Sequence, residues 1–454
     1  MMHAYRMLPK LCLALLLAVA PRLGPSPRIA TPPHIIQTVA AGNTVPAQPP
    51  SAQAYSLPPE KLSKAITLNR IRTALDIGGS LWGLAVLWLL LSMRWAAALA
   101  SWTERVFHRR MLQGLLFFAA LVLITTLAEL PLDVIGHAVS RHYGISVQGW
   151  FSWMGDLAKG LGLSLLLATP VLLLFNWIVR ISPRRYWLWA WLITLPLMVL
   201  SVFASPLLDP IFNKFEPLSK THPALVAKLE SVVARTGTNI PPERMFLMKA
   251  GAKSNGLNAY VTGIGATKRI VVWDTTAGRI PDDEVLFIFG HESGHYVLNH
   301  IPKGIAASAV GLFFVFWACA AFARQLARRF GVRWQLYSLE SSAPLASRQG
   351  FLVLLFALSA ANLVLQPVSN GVSRYFEHQA DVYGQEAIHG LVADPRKTAV
   401  AAFNHLGEAW LEDPNPSPFI EFWEYSHPSV QHRAEFALHY DPWVNGGKGR
   451  FFAR

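Results

Sequence analysis

Two histidines four residues apart with a glutamate between them, in His291-Glu292-Ser293-Gly294-His295, form the stretch of this chain best equipped for chemistry. On a helix, side chains four residues apart share a face. Two neutral imidazoles on one face can grip a zinc ion, and the intervening Glu292 can act as general base on a water at the ion's open position. That is the HExxH arrangement of metal-assisted peptide hydrolysis. An amphipathic helix with two histidines on its polar face would look the same, so the surroundings decide.

A catalytic zinc usually takes three protein ligands. The extended motif with glycine at 298 and histidine at 301 is excluded, because the chain has Leu298 and Ile301. A glutamate on a separate helix can serve instead, with an aspartate one turn later accepting the other ring N–H of a ligand histidine and fixing its tautomer. Glu377 and Asp381 have that spacing, in Ser373-Arg374-Tyr375-Phe376-Glu377-His378-Gln379-Ala380-Asp381. An ordinary charged helix turn has it too.

The elements that must position these groups are also legible. Pro281, Asp282, Asp283 and Glu284 stand just before Val285, Leu286, Ile288 and Phe289. Acids in a first turn offset the positive end of the helix dipole, so the pattern predicts a helix from about Asp282 to about Asn299. Uncharged apolar runs occur at Ile77–Met93, Met111–Ala128, Gly160–Val179, Tyr186–Leu208, Gly304–Ala323 and Gly350–Leu365. Each supplies most of the roughly 20 residues that cross a bilayer core. Six such runs make the chain polytopic. The last two, joined by an arginine-rich loop, separate the histidine helix from Glu377. A hairpin leaves and re-enters the same membrane face, so it can return Glu377 to the side of His291 and His295.

Composition agrees. Of 454 residues, 52% are hydrophobic and only 15% charged, and the mean hydropathy of +0.32 points to a membrane protein rather than a soluble enzyme. A net charge of +13 would suggest nucleic acid in a soluble protein, but its distribution excludes that partner. The short loops after the first, third and fifth runs carry Arg94, Arg105, Arg109 and Arg110; Arg180, Arg184 and Arg185; and Arg324, Arg328, Arg329, Arg333 and Arg348. In the loop after the second the only arginine is Arg141. By the positive-inside rule the arginine-rich loops are cytoplasmic, and 209–303 and 367–454 lie on the extracytoplasmic side. Leu11–Ala20, preceded by Arg6 and Lys10 and followed by Pro21, reads as a signal peptide or short anchor. About Pro21 to Pro59 reads as an extended Pro/Ala-rich linker. Cys12 and Cys319 sit in apolar segments and support neither a disulfide framework nor a thiolate metal site.

HExxH, a membrane hairpin and then Ser-Arg-x-x-Glu-x-x-Ala-Asp resembles the type-I CaaX prenyl protease family of integral membrane zinc metallopeptidases. Three further segments resemble that family in order: Pro210-Ile211-Phe212-Asn213-Lys214-Phe215-Glu216-Pro217-Leu218; Asn258-Ala259-Tyr260 followed by Lys268 to Thr275; and His427-Pro428 with Arg433. The resemblance covers roughly residues 60 to 440. It implies a ring of helices around a large chamber, an inward-facing active site with one Zn2+ per chain, and cleavage near a lipidated C-terminus. The chain departs from the family in two respects. A first long span is expected where only Leu11–Ala20 stands. The family's eukaryotic members place the zinc domain in the cytosol, whereas the arginines here place it outside. Surveillance of misfolded or membrane-associated polypeptides then fits better than processing of prenylated proteins.

The expected roles are these. His291, His295 and Glu377 bind zinc, and Glu292 moves the proton from water to the leaving amine. Asp381 orients a ligand histidine. Arg433 anchors a carboxylate, either Asp381 or a substrate C-terminus. His427 donates to the oxyanion, unless it is a core histidine capped beside Pro428. Ile270 to Trp273 reads as a strand and Asn255 to Val261 as its hairpin partner, with Asn258 and Ala259 able to align substrate as an added strand; a plain structural hairpin fits equally. His300, His378 and His432 read as surface or packing residues rather than ligands.

The expected fold is mostly α: a polytopic bundle of six to seven spans with a zincin-like metalloprotease domain containing a small β-hairpin. Its expected parts are 1–24 signal or anchor, 25–73 linker and approach to the first helix, 74–208 four spans, 209–303 first zinc-domain segment, 304–366 two-span hairpin and 367–454 second zinc-domain segment. The expected partners are a polypeptide substrate and the lipid bilayer. The alternative is a non-enzymatic transporter or assembly factor with a structural metal site. A protease with its zinc buried in the bilayer disagrees with the charged Pro-Asp-Asp-Glu before the histidine helix.

Overall fold

The structure is a computed structural model and describes residues 54–263, 265–337 and 343–452; the signal-like segment lies outside them. The helices of seven residues or more are α1 Pro59–Ser92, α2 Trp95–Val106, α3 Arg110–His142, α4 Trp150–Ile181, α5 Tyr186–Phe212, α6 Pro223–Thr236, α7 Asp282–Val297, α8 His300–Phe330, α9 Arg348–Ala387, α10 Pro395–Trp410, α11 Pro418–Glu424 and α12 Val430–His439. The strands are β1 Phe215–Pro217, β2 Met245–Met248, β3 Ala259–Thr262 and β4 Arg269–Trp273.

Among the described residues five helices, α1, α3, α4, α8 and α9, are long and apolar enough to cross a membrane. A sixth crossing is α5, if its arms Tyr186–Val202 and Pro206–Phe212, bent by 59°, count as one span. The bend has a local cause: Pro206 removes an amide donor and its ring crowds the carbonyl four residues back. The helices outrun the apolar runs that mark them. At 40 residues, α9 is about 60 Å long, twice the hydrocarbon thickness of a bilayer. Its apolar first half sits among the spans, and its polar second half, after Pro367, carries Glu377 and Asp381.

The two ends of the bundle differ in chemistry. At one end the arginine-rich loops meet: Arg94 Nε donates to the Arg333 carbonyl at 3.1 Å, and Arg348 pairs with Glu104 at 2.8 Å. At the other end sits a four-stranded sheet of order β1-β2-β4-β3. β3 pairs antiparallel with β4, β4 parallel with β2, and β2 antiparallel with β1. The expected hairpin is therefore half of a mixed sheet, and its outer strand starts at Ala259 rather than Asn255. Lys253, paired with Asp156 and donating to the Phe212 carbonyl, ties the sheet to α4 and α5.

Two apolar cores follow. The membrane core gathers Leu87, Leu91, Phe117, Phe118, Leu172, Ala323, Leu352 and Val353. The second lies under the sheet and gathers Leu229, Val271, Val272, Phe287, Phe289, Ala387, Ala399 and Phe403. It also takes in Tyr55, Leu57, Ala65 and Leu68. Residues expected as linker and helix approach thus contribute to this core, because their few apolar side chains find a face to bury against.

Candidate active site

The histidine helix is built as its sequence suggests. Asp282, Asp283 and Glu284 occupy the first turn of α7, and Val285 to Phe289 are buried in the core beneath the sheet. Beyond them α7 meets α9 at unusually close range. A Cβ on Gly384 would lie 2.8 Å from the His291 amide nitrogen, and one on Gly290 would lie 3.1 Å from the Gly384 carbonyl oxygen. Glycine on both sides lets the two backbones touch, and that contact brings the carboxylates of α9 to the imidazoles of α7.

Three of the predicted residues converge. His291 Nε2 lies 3.2 Å from His295 Nε2 and 3.2 Å from Glu377 Oε2, and His295 Nε2 lies 3.6 Å from Glu377 Oε1. One donor atom from each lies within 4.8 Å of the others. Two ligands at about 2.0–2.1 Å from a tetrahedral zinc stand about 3.3–3.4 Å apart, close to these spacings. Glu377 Oε2 is buried without any hydrogen-bond partner, which native interiors rarely tolerate. Burial would lower the His291 pKa, but Asp381 and Glu377 outweigh it and hold it up to about 9. Burial pushes His295 down to about 3, so its ring is neutral with a lone pair free. An orphaned carboxylate oxygen, two imidazoles and local negative charge fit a divalent cation.

The supporting residues surround this triangle. Asp381 Oδ1 accepts from His291 Nδ1 at 2.8 Å, and Arg433 Nε donates to Asp381 Oδ2 at 2.9 Å. Arg433 thus holds Asp381, one of the two carboxylates expected for it, and the guanidinium also sits 4.5 Å from the centre of the Phe403 ring. His427 Nε2 lies 3.3 Å from Glu377 Oε2, and its Nδ1 lies 3.0 Å from Ser426 Oγ. The segment leading to His427 is held by α9: Asn370 donates to the Trp423 carbonyl at 2.7 Å, and Arg374 donates to the Tyr425 carbonyl. The arginine of the Ser-Arg motif therefore places His427.

Burial pushes the Glu292 carboxyl up to about 7; Glu377 adds to the rise, while His291, Arg433 and the Val261 amide oppose it. The Val261 contact matters structurally. In an antiparallel pair, alternate residues turn their amide and carbonyl groups toward the partner and away from it. Trp273 N–H donates to the Asn258 carbonyl at 3.1 Å, so Ala259 and Val261 face the open edge of β3. The main chain of Asn258 is already bonded: its N–H donates to Thr276 Oγ1 at 2.8 Å and its carbonyl accepts from Trp273 and Thr276. Its main chain is engaged within the domain, and Ala259 is the residue at the free edge.

Sequence reading missed two neighbours. Tyr296 donates to the Gly263 carbonyl at 3.0 Å, one helical turn after Glu292 meets Val261 two residues earlier on the strand. The four-residue period of α7 and the two-residue period of β3 thus fall into register, a match visible only once the strand is placed. Gly263 closes that strand with φ +86°, where a Cβ would come 2.2 Å from the Thr267 carbonyl oxygen. His300, read as a surface or packing residue, is the latter: it is 3% exposed and sits 3.2 Å from His295, within the site's surroundings. His378 packs edge-on to Phe436 and His432 lies 3.4 Å from Glu421; neither reaches the triangle.

The chain is also similar to known proteins. Residues 219–441 match the model of peptidase family M48, and residues 42–214 match that of the CAAX prenyl protease N-terminal region with five membrane helices. The metalloprotease YhfN of Bacillus subtilis is 34% identical over 85% of this chain and 87% of its own length. CAAX prenyl protease 1 of Saccharomyces cerevisiae is 28% identical over 71% of each chain. The crystal structure of Ste24p from S. mikatae superposes with a TM-score of 0.70 at 24% identity, covering 84% of this chain and 91% of that one, which bears on the fold. With its spans, its glycine-packed histidine helix and these relatives, the chain belongs to the CAAX prenyl protease family within peptidase family M48 and is an integral membrane metalloendopeptidase acting on polypeptides.

Proposed function

We propose that the metal is zinc, held by His291, His295 and Glu377, and that Glu292 is the general base and acid of peptide hydrolysis. The observation that carries this reading is the triangle of donor atoms, with Glu292 on the same helix and beside the open edge of β3. Bound zinc would supply Lewis acidity, polarising the scissile carbonyl and easing deprotonation of the attacking water. Glu292 accepts that proton and returns it to the leaving amine. A carboxyl raised toward neutrality by burial is suited to both duties. His427, buried and with its pKa lowered chiefly by burial, is neutral. A Ser426 hydroxyl donating to Nδ1 leaves the proton on Nε2, where it can stabilise the developing oxyanion. Asp381, clamped by Arg433, holds the His291 tautomer. A substrate strand adds to the edge of β3 at Ala259, which delivers its carbonyl toward Glu292.

The arginine-rich end of the bundle supports a cytoplasmic placement of that end, with the zinc end extracytoplasmic in a bacterial inner membrane. Membrane-associated or misfolded polypeptides are then the proposed substrates, in quality control, rather than prenylated proteins. Glu292→Gln is the test of the chemistry: peptide hydrolysis falls about 10²–10⁴-fold with zinc content unchanged. Wild-type turnover by that variant would refute the assignment. Reporter fusions at Lys220 and Arg329 test the sidedness; a periplasm-only reporter active at Arg329 and silent at Lys220 would reverse it.

A further inference from the structure

We infer that His300 and Gln379 are positioning residues for His295: they fix which ring nitrogen of that ligand carries the proton, and so aim its Nε2 lone pair at the metal position. The inference rests on the proposed ligand set.

The argument follows donors and acceptors in one direction. Gln379 Oε1 lies 3.0 Å from His300 Nε2, and Gln379 Nε2 donates to the Tyr375 hydroxyl at 3.0 Å. A carbonyl oxygen only accepts, so the proton between Gln379 and His300 resides on His300 Nε2. A neutral imidazole protonated at Nε2 has a bare Nδ1. That atom faces His295 Nδ1 at 3.2 Å, and the contact needs one proton, which His295 must supply. His295 is thereby left with its lone pair on Nε2, the atom 3.2 Å from His291 Nε2 and 3.6 Å from Glu377 Oε1. His291 reaches the same state by another route, through Nδ1 and Asp381. The two ligands are thus backed unequally, one by an arginine-clamped carboxylate and the other by a neutral imidazole.

The chain holds His300 in this place by design of the break between α7 and α8. Asn299 adopts φ +56°, a left-handed conformation that asparagine tolerates. The turn swings the first residue of α8 back beneath His295. There His300 stacks on Phe376 with ring centres 4.5 Å apart and planes 13° apart. Tyr375, Phe376 and Gln379 come from the same two turns of α9 as Glu377. Ligand and orienting chain are therefore carried on one rod.

The test measures zinc affinity of the purified full-length protein by competition with a chelator, with the unfolding midpoint of the metal-free protein as a folding control. His300→Phe keeps a ring against Phe376 and removes the acceptor; it is expected to bind zinc about 10–100-fold more weakly. His300→Asn restores an acceptor near the position of Nδ1 and is expected to recover most of the loss. Gln379→Leu, which leaves the His300 ring in place, is expected to weaken zinc binding in the same direction and carries the test if His300→Phe does not fold. Wild-type zinc affinity in the folded His300→Phe or Gln379→Leu protein would overturn the inference, as would His300→Asn binding no better than His300→Phe. Glu377→Ala, run in parallel, separates the two levels. Full zinc stoichiometry in that variant would sink the ligand set, whereas its loss alongside an unaffected His300→Phe would sink only the orienting role.

Discussion

Gly384→Ala would place a methyl carbon 2.8 Å from the His291 amide nitrogen and 3.0 Å from its Cα. Ordinary carbon contacts begin near 3.5 Å, so α7 and α9 must part by about 0.7 Å, because backbone on the other side cannot rotate away. The 2.8 Å bond between His291 and Asp381 then stretches to about 3.5 Å, past a useful hydrogen bond. Losing an outer partner of this kind weakens metal binding about 10–100-fold, or about 1.4–2.7 kcal/mol. Global stability moves less. Overpacking costs about 1–3 kcal/mol, but alanine inside a helix returns about 1 kcal/mol relative to glycine, leaving about 0–2 kcal/mol. Gly290→Ala is gentler: its nearest contact is 3.1 Å, requiring a shift of about 0.4 Å. Chelator competition for zinc, with thermal unfolding of the metal-free protein in the same detergent, reads both quantities. A Gly384→Ala protein with zinc affinity within twofold of wild type would refute the reasoning. So would a Gly290→Ala protein damaged more than Gly384→Ala.

Arg433→Ala strands the buried carboxylate of Asp381 and should destabilise the protein by about 3–5 kcal/mol in denaturant unfolding; a loss under 1 kcal/mol would contradict the pairing. Glu386 is fully buried and accepts from the main-chain N–H groups of Arg450, Phe451 and Phe452. Glu386→Ala should release that segment, seen as carboxypeptidase trimming past Phe452 and a stability loss of at least about 2 kcal/mol. Asp394 caps α10 by accepting from Arg396 N at 3.0 Å and Lys397 N at 3.3 Å, so Asp394→Ala should cost about 1 kcal/mol at neutral pH. Burial opposes ionisation of Asp394, but those two amides and the Arg396 and Lys397 charges hold its pKa below 3.8. A depressed folded pKa gives stability that is present above the unfolded value and fades as pH falls through the folded one. The gap between variant and wild type should therefore close below pH 3.8, and a gap that persists there would count against the cap.

Much of the site was legible because its signals are local. Acids before an apolar run announce α7, and four-residue spacings on α7 and α9 announce the imidazole pair and the two carboxylates. The membrane hairpin then constrains where the second helix must return. What escaped depends on contacts that no single period encodes. His295 and His300 are five apart, off any helical face, and meet only because Asn299 breaks the helix between them. The three-residue β1 and the Met-rich, fully apolar β2 show no alternation, so half of the sheet was invisible. Asn258 looked available as an edge residue, and only the placement of Thr276 and Trp273 shows that it is already bonded. The apolar runs marked the crossings but not the helix lengths, since the polar ends of α1 and α9 continue without a break.

The imidazoles of α7 are made before α8 and α9 are inserted, while Glu377, Asp381 and then Arg433 emerge only afterwards. On the proposed ligand set, a ribosome-bound chain that has not yet completed both crossings holds two of the three metal ligands. Tight ion capture, and with it hydrolytic competence, would then wait for Glu377.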